Sequence, residues 1–316
     1  MGLILSLNNF SISFQNSLPE VSGDYKFNYP LSRIAWFKVG GPAEVMFIPK
    51  DKQDLICFLK NIKKIQDEIF VVGACSNLLI RDGGLRGVVI KLGNNFKSIK
   101  YEEDHLFVGA GALDIVVSRF AASKGIGGLE FLSGIPGTIG GSIIMNAGAY
   151  GREISDILVS VEAVDNYGRI HNIDSNDISF SYRSSQIDNN LILLGACLKG
   201  YKEDHLVIKN QLNEIQKLRN DTQPIKRKTG GSTFKNPKDS KYKAWELIDL
   251  SGCRGMKKGG AVVSDQHCNF LINTGNASAF ELEKLGDEIR SKVFCSTGVN
   301  LDWEIKRVGQ LLEVSR

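Results

Sequence analysis

Several short stretches carry side chains whose types and spacing could act on an anionic ligand. Arg227-Lys228-Thr229-Gly230-Gly231-Ser232-Thr233-Phe234-Lys235-Asn236-Pro237 packs cations, hydroxyls and flexible backbone into one loop. Farther on, strict alternation over Val299–Val308 puts Asn300, Asp302, Glu304 and Lys306 on one face of a strand. Val299, Leu301, Trp303 and Ile305 take the other face. Glu304 would then project beside Asp302 and Lys306, whose opposite charges pull its pKa in opposite directions. Arg183, within Ser181-Tyr182-Arg183-Ser184-Ser185, offers a guanidinium suited to bidentate carboxylate binding. His267 could contact a ligand. Each feature also has an ordinary reading: a solvated loop, the polar face of an edge strand, a structural histidine.

The densest signal is the stretch Gly125 to Gly151, with glycines at 125, 127, 128, 134, 137, 140, 141, 148 and 151 set among Leu, Ile, Phe and Met. Glycine lets backbone approach a ligand closely, so such a run suggests main-chain N–H groups cradling an anion, with a diphosphate the natural candidate. The spacing Gly134-Ile135-Pro136-Gly137-Thr138-Ile139-Gly140 is G-x-x-G-x-x-G, which is not the dinucleotide fingerprint, and no Gly-Lys-Ser/Thr closes a P-loop. Tight turns at the rim of a sheet fit the same glycines. A second loop, Gly73-Ala74-Cys75-Ser76-Asn77-Leu78-Leu79-Ile80, follows a short apolar strand and offers successive N–H donors, although a simple β-turn explains it equally.

The elements that must position these groups follow from periodicity. Leu55, Ile56, Leu59 and Ile62 mark a helix over 51–64. Residues 113–124 form a second helix, stopped by Gly125. Phe70–Val72 (a buried strand), Val88–Ile90, Leu106–Val108 and Leu191–Leu198 are strands, and Ile157–Val164 with Arg169–Ile173 form a hairpin about Asn166-Tyr167-Gly168. Two short strands flank Gly40-Gly41-Pro42. A helix over 204–219, with Leu206, Leu212, Ile215 and Leu218 apolar, leads into a second domain. That domain holds a helix at 244–250, a strand near 269–272, and a helix at 279–294 with a Ser278/Glu281 capping box. The expected organisation is an arm over 1–29, a first region over 30–203 and an α+β domain over 204–316, with the transition near 202–225.

Composition excludes several classes. The chain has 316 residues, enough for two cores, and 42% hydrophobic with 23% charged residues is ordinary for a globular protein. A net charge of +4 from 39 basic and 35 acidic residues, without a long basic block, gives nucleic-acid binding little support. Cysteines at 57, 75, 197, 253, 268 and 295 form no C-x-x-C pair, which argues against zinc and a disulfide framework and fits a reducing cytoplasm. No apolar run is long enough for a membrane span, and Met1 to Leu7 does not read as a signal peptide. Met1-Gly2 with Ser6 matches a myristoylation pattern too short to carry weight.

Taken in order, the motifs resemble the UDP-N-acetylenolpyruvoylglucosamine reductase family, from about residue 30 to 309. They are Gly40-Gly41-Pro42, Gly73 with Ser76-Asn77-Leu78-Leu79, Gly134-Ile135-Pro136-Gly137-Thr138-Ile139-Gly140-Gly141, Asn146-Ala147-Gly148-Ala149-Tyr150-Gly151, Tyr182-Arg183-Ser184, Gly231-Ser232 with Phe234-Lys235-Asn236-Pro237, and Leu301 with Glu304. The resemblance implies an α+β protein: a two-part FAD-binding region of the vanillyl-alcohol-oxidase (PCMH) type, then an α+β substrate-binding domain. It implies non-covalent FAD, NADPH as hydride donor, and reduction of UDP-N-acetylglucosamine enolpyruvate to UDP-N-acetylmuramate, a peptidoglycan precursor.

By the same resemblance Gly73, Ser76, Asn77, Leu78, Gly134, Ile135, Pro136, Gly137, Thr138, Gly140, Gly141, Asn146, Ala147 and Gly148 hold FAD. Ser232 donates a proton, Arg183 and Glu304 stabilise developing charge, and Lys235, Asn236 and, less securely, His267 meet substrate. No metal, nucleic acid, membrane or obligatory protein partner is implied. Two departures stand out: Cys75 replaces the family's usual glycine, and the loop before Ser232 is unusually basic. The chain resembles the family's shorter form, which lacks an insertion carrying a substrate-closing tyrosine. A flavin-dependent alcohol or sugar oxidase on the same scaffold is the alternative, and it predicts no Ser232 and Glu304 constellation. A nucleotide-binding regulatory module would leave the polar face of 299–308 without a task.

Overall fold

In the computed structural model, which describes residues 14–62 and 69–312, two compact units form, and neither is one continuous stretch. The first takes in the described residues up to Tyr29, with Ala43–Gly73 and Arg86–Ile215; the second takes Pro30–Pro42, Ala74–Leu85 and the chain from Gln216 onward. This differs from the expected division into 30–203 and 204–316. Segments 30–42 and 74–85 join the later residues because Phe37, Val39 and Leu79 fill the second unit's core. In addition, Leu78–Ile80 pairs in parallel with Lys306–Val308. The expected arm over 1–29 is also more than an arm in its described part. Asp24–Pro30 is a strand, and Tyr25 packs on Phe47 and Phe58 with ring centroids 5.2 and 6.4 Å apart.

Two larger sheets dominate the described residues of the first unit. One has the spatial order Asp24–Pro30, Pro42–Ile48, Leu85–Lys91, Ile69–Val72. Its central strand is the continuous apolar run Val88, Val89, Ile90, all fully buried. Ile69–Val72 lies at the edge, which is why Val71 is exposed although a buried strand was expected there. Helix Lys52–Asn61 is capped by Asp51, which accepts from Asp54 N at 2.9 Å, and buries Leu55, Ile56, Phe58 and Leu59 in this sheet's core. The helix thus ends at Asn61 rather than at the expected residue 64, and 63–64 lie outside the described residues.

The other sheet is antiparallel throughout, in the order Ile170–Asp174, Leu158–Asp165, Leu191–Lys199, His105–Gly109, Ile99–Glu102. The expected hairpin turns at Asn166-Tyr167-Gly168, where Gly168 has φ 75°. Helix Asp114–Ser123, ended by Gly125 at φ 67°, and the short glycine-rich helix Ile139–Ile144 share this sheet's core. Val164, Ile192 and Leu194 belong instead to the core of the four-stranded sheet and so tie the two sheets together.

In the second unit, helix Ala279–Thr297 opens with the expected capping box, Glu281 N to Ser278 Oγ at 3.1 Å and Ser278 N to Glu281 Oε2 at 2.9 Å. Its buried Leu282, Leu285, Ile289 and Val293 meet Phe234, helix Ala244–Leu250 and the three-stranded sheet Lys257–Lys258, Ala261–Val263, Leu271–Asn273. Regular strand covers only Lys306–Val308, not the expected 299–308. Burial nevertheless alternates as expected, with Leu301 and Ile305 buried and Asp302 and Lys306 exposed. Only one strand, Pro42–Ile48, forms beside Gly40-Gly41; the chain before it makes a 3-10 turn at Leu31–Arg33, and Gly40 sits at φ 116°. Helix His205–Thr222 buries Ile208 and Ile215, whereas Leu206 and Leu218 of its expected apolar face are exposed.

Among the described residues no helix is long and apolar enough to cross a membrane, no group of His, Cys, Asp and Glu is arranged to hold a metal, and no disulfide forms.

Candidate active site

In the first unit the two glycine loops meet. A Cβ on Gly73 would overlap Thr138 Oγ1, so the end of strand Ile69–Val72 and the start of the glycine-rich helix touch only because residue 73 has no side chain. Thr138 makes no capping bond with its side chain. Gly137 lies over Asp114, where a Cβ would sit 2.6 Å from Oδ2, and Gly140 lies 3.1 Å by the same measure from Ala110 Cβ. Gly134 faces Tyr150, Ile135 O accepts from Gly137 N at 3.1 Å across Pro136, and Gly141 is open apart from Thr138.

Asn146 is fully buried at φ 39°, and its amide is used inside the protein: Oδ1 accepts from Ser155 N at 3.1 Å, and Nδ2 donates to Ser181 O at 3.2 Å. It therefore braces the hairpin Phe180–Ser185 that carries Arg183. Ala147 N donates to Ser142 O at 2.8 Å. At the hairpin tip Arg183 adopts φ 57°, donates from Nη2 to Gly148 O at 2.9 Å and lies 5.0 Å from the Tyr182 ring centroid. The Asn-Ala-Gly motif and the arginine motif, distant in sequence, are thus one local structure.

In the second unit, main-chain bonds join the loop that follows Ser232 to the Glu304 segment. Glu304 N donates to Thr233 O at 2.9 Å, Lys235 N donates to Asp302 O at 2.8 Å, and Phe234 bridges Trp303. On its other side the loop is gripped by Asn269. Its carbonyl accepts from Thr233 N, its Oδ1 from Phe234 N at 2.9 Å, and its Nδ2 donates to Phe234 O at 2.8 Å. Ser232, half-buried, bridges Phe270 just past Gly231 at φ 80°. The hydroxyls of Thr229 and Thr233 are buried without a protein partner.

Ser76-Asn77-Leu78 belongs to this same unit, and Asn77 clasps the other end of the strand. Its Nδ2 donates to Glu304 O at 3.2 Å, and its carbonyl accepts from Lys306 N at 3.0 Å. Burial around its ammonium and then the Lys235 charge hold the Lys306 amine below the usual lysine range, although the residue as a whole is exposed. Asn236 Oδ1 accepts from Ala244 N at 3.0 Å at the start of helix Ala244–Leu250. His267 stands edge-on to Phe270, with ring centroids 4.8 Å apart, and its Nδ1 accepts from Asn269 N at 3.2 Å. Burial, with a lesser contribution from Arg254, keeps its ring below the usual histidine range. Cys75 has φ 53°, the left-handed region that favours glycine, which is the reason glycine is usual there.

Sequence reasoning missed three groups: Asp114, Asn269 and the paired threonine hydroxyls. Asp114 and Asn269 entered the sequence reading only as positions within the expected helix 113–124 and the expected strand near 269–272. A lone Asp followed by Ile-Val-Val was the available signal for the first.

The first unit fits a dinucleotide's phosphates. Gly134–Ala147 contains no charged side chain, and Gly73, Gly137 and Gly140 stand where added side chains would collide with their neighbours. Residues 43–174 match the family model described as FAD binding domain, which marks a flavin-binding protein. Residues 223–308 match the model for the C-terminal domain of UDP-N-acetylenolpyruvoylglucosamine reductase.

The chain belongs to the UDP-N-acetylenolpyruvoylglucosamine reductase family. It is 51% identical over 294 residues to the reductase of Rickettsia massiliae (strain Mtu5), covering 93% of this chain and 98% of that one. It is 50% identical over 298 residues to that of Orientia tsutsugamushi (strain Boryong), covering 93% and 97%. The crystal structure of the reductase from Thermus caldophilus aligns with a TM-score of 0.77 at 30% identity, over 91% of this chain and 99% of that one.

Proposed function

We propose that the chain catalyses its family's reaction, the FAD-dependent reduction of UDP-N-acetylenolpyruvoylglucosamine to UDP-N-acetylmuramate, with Ser232, Glu304 and Arg183 as the catalytic residues. The observation that carries this reading is the 2.9 Å bond from Glu304 N to Thr233 O. It joins the residue after Ser232, the proposed proton donor, to Glu304, on backbone fixed by Asn77 and Asn269. An oxidase on the same scaffold has no use for that pair.

FAD, when bound, passes on the hydride that NADPH supplies. Addition of hydride to the enol ether carbon distant from the carboxylate leaves enolate-like charge on the substrate. Arg183 and a neutral, hydrogen-bonding Glu304 stabilise that charge. Ser232 then protonates the adjacent carbon: a hydroxyl is a poor acid, but the carbanion is a strong base. Gly73, Thr138 and Gly134–Gly141 hold the cofactor, with Ala147 and Gly148 next to them, and Ser76 and Leu78 are further cofactor residues by the family resemblance. Asn77 and Asn146 serve chiefly to brace Glu304 and the Arg183 hairpin. Lys235 and Asn236 meet the UDP-sugar, and His267 lines that region as a neutral ring. The cytoplasm, where NADPH and nucleotide sugars are made, is the expected setting.

The test is anaerobic. NADPH should bleach the flavin band of the purified protein, and the enolpyruvyl UDP-sugar should restore it with formation of UDP-N-acetylmuramate. Flavin that is reoxidised by oxygen but not by this substrate would overturn the proposal in favour of the oxidase.

A further inference from the structure

Beneath the glycine-rich loop lies a carboxyl group that the proposed chemistry does not use. Asp114 opens helix Asp114–Ser123 and is fully buried. Its N donates to Gly137 O at 3.2 Å, Ile139 N donates to Ala112 O at 2.9 Å, and Leu113 bridges Thr138, so the helix start and the loop are laced together. The side chain continues the contact. Oδ2 accepts from Ser142 Oγ at 2.8 Å and lies 2.6 Å from where a Gly137 Cβ would be, while Oδ1 is buried with no partner.

Among the described residues, an ionised carboxylate so placed has only the Ser142 hydroxyl to set against its desolvation. Ala110–Leu113, Gly134–Thr138 and Ile139–Ile144, the segments around it, contain no titratable side chain. On its own helix Arg119 is exposed. On the adjoining turn Glu130–Gly134 the titratable group is Glu130, whose Oε2 accepts from Gly128 N at 2.8 Å. Burial pushes the Asp114 carboxyl up to about 8, with the Ser142 hydrogen bond acting in the opposite direction.

We propose that Asp114 is a positioning residue for the cofactor loop: as a neutral acid it lets Gly137 and Ser142 close over it, and once ionised it sets a negative charge beneath a loop that holds a diphosphate, weakening FAD retention. The proposal rests on the reading of Gly134–Gly141 as FAD-holding. The sign follows from linkage. If FAD favours the protonated form, affinity is greatest at low pH and falls as pH rises through the carboxyl's titration.

The experiment dilutes FAD-loaded protein at pH values from about 6.5 to 9 and reads released flavin by fluorescence; the FAD diphosphate is fully ionised throughout this range. The dissociation constant should rise by about tenfold, the equivalent of a one-unit shift between the bound and free states. Asp114→Asn should bind within a few-fold of the parent at the lowest pH and show no rise. Ser142→Ala, which removes the bond favouring the charged form, should move the rise to higher pH, and it decides the matter if the Asn variant fails to fold. A flat profile in the parent, an unchanged rise in Asp114→Asn, or an unmoved midpoint in Ser142→Ala would each overturn the proposal. A protein that retains no FAD at any pH would instead sink the FAD-holding reading.

Discussion

The side-chain amide of Asn77 donates to the main-chain carbonyl of Glu304 at 3.2 Å, across 227 positions of sequence. With the Asn77 carbonyl accepting from Lys306 N, the Ser76-Asn77 turn holds the Glu304 strand from both sides of the residue. Asn77→Ala should lower turnover by about tenfold through misplacement of Glu304 and cost about 1 kcal/mol of stability, the scale of one hydrogen bond. Flavin content should be unchanged. Loss of FAD with normal turnover per remaining flavin would show that Asn77 acts on the cofactor instead.

Gly73 and Gly137 have no room for a side chain, since Thr138 Oγ1 and Asp114 Oδ2 occupy it. Gly73→Val and Gly137→Val should each yield protein with little flavin absorbance that added FAD restores poorly. Circular dichroism should show secondary structure retained. Normal flavin content in either variant would remove that position from the cofactor cradle.

Turnover measures the catalytic assignments. Arg183→Ala and Glu304→Ala should each lower kcat by roughly 10²-fold, the scale of one lost transition-state donor, with flavin still bound. Ser232→Ala should leave anaerobic bleaching by NADPH unchanged but slow substrate-driven reoxidation by about 10²-fold to 10⁴-fold. Reoxidation at the parent rate would mean that the proton comes from another group.

Cys75 occupies the left-handed region at φ 53° and is 4% exposed. Glycine there relieves about 1–2 kcal/mol of backbone strain but gives up burial and gains unfolded-state entropy. Chemical denaturation should therefore place Cys75→Gly within about 1 kcal/mol of the parent. Cys75→Val, β-branched at positive φ, should be clearly less stable. Equal stability of the Val variant would contradict the backbone argument.

Acid stability has one identifiable contributor at the turn of the 158–174 hairpin. Burial alone would raise the Asp165 carboxyl, but hydrogen bonds from Arg169, His171 and Tyr167 outweigh it and hold the group below the usual carboxylate range. A depressed folded pKa stabilises above the unfolded value of about 4 and loses that contribution as pH falls through the folded one. Asp165→Asn should lower Tm at pH 7 and narrow its gap to the parent at low pH. A gap that does not change with pH would assign the effect to shape rather than charge.

Local rules were enough for much of this protein. The capping box at Ser278 and Glu281, the Gly125 and Gly168 stops, and the buried faces of helices 52–61 and 279–297 depend on contacts within a few residues or on periodicity. The order and spacing of the motifs likewise marked the family, because each motif is a short loop with its own backbone demands. Tertiary structure alone decided which loops share a unit. Gly73 lies in one unit and Ser76 in the other, three positions apart, because strand Leu78–Ile80 finds its partner in Lys306–Val308. Periodicity cannot report a pairing between segments so distant. Nor could it show that the Asn77 and Asn146 amides are used on backbone, or that Asp114 lies without a counter-charge beneath Gly137. A residue's hydrogen-bonding capacity is fixed by its type, but which partner takes it up is fixed by what the fold brings within about 3 Å.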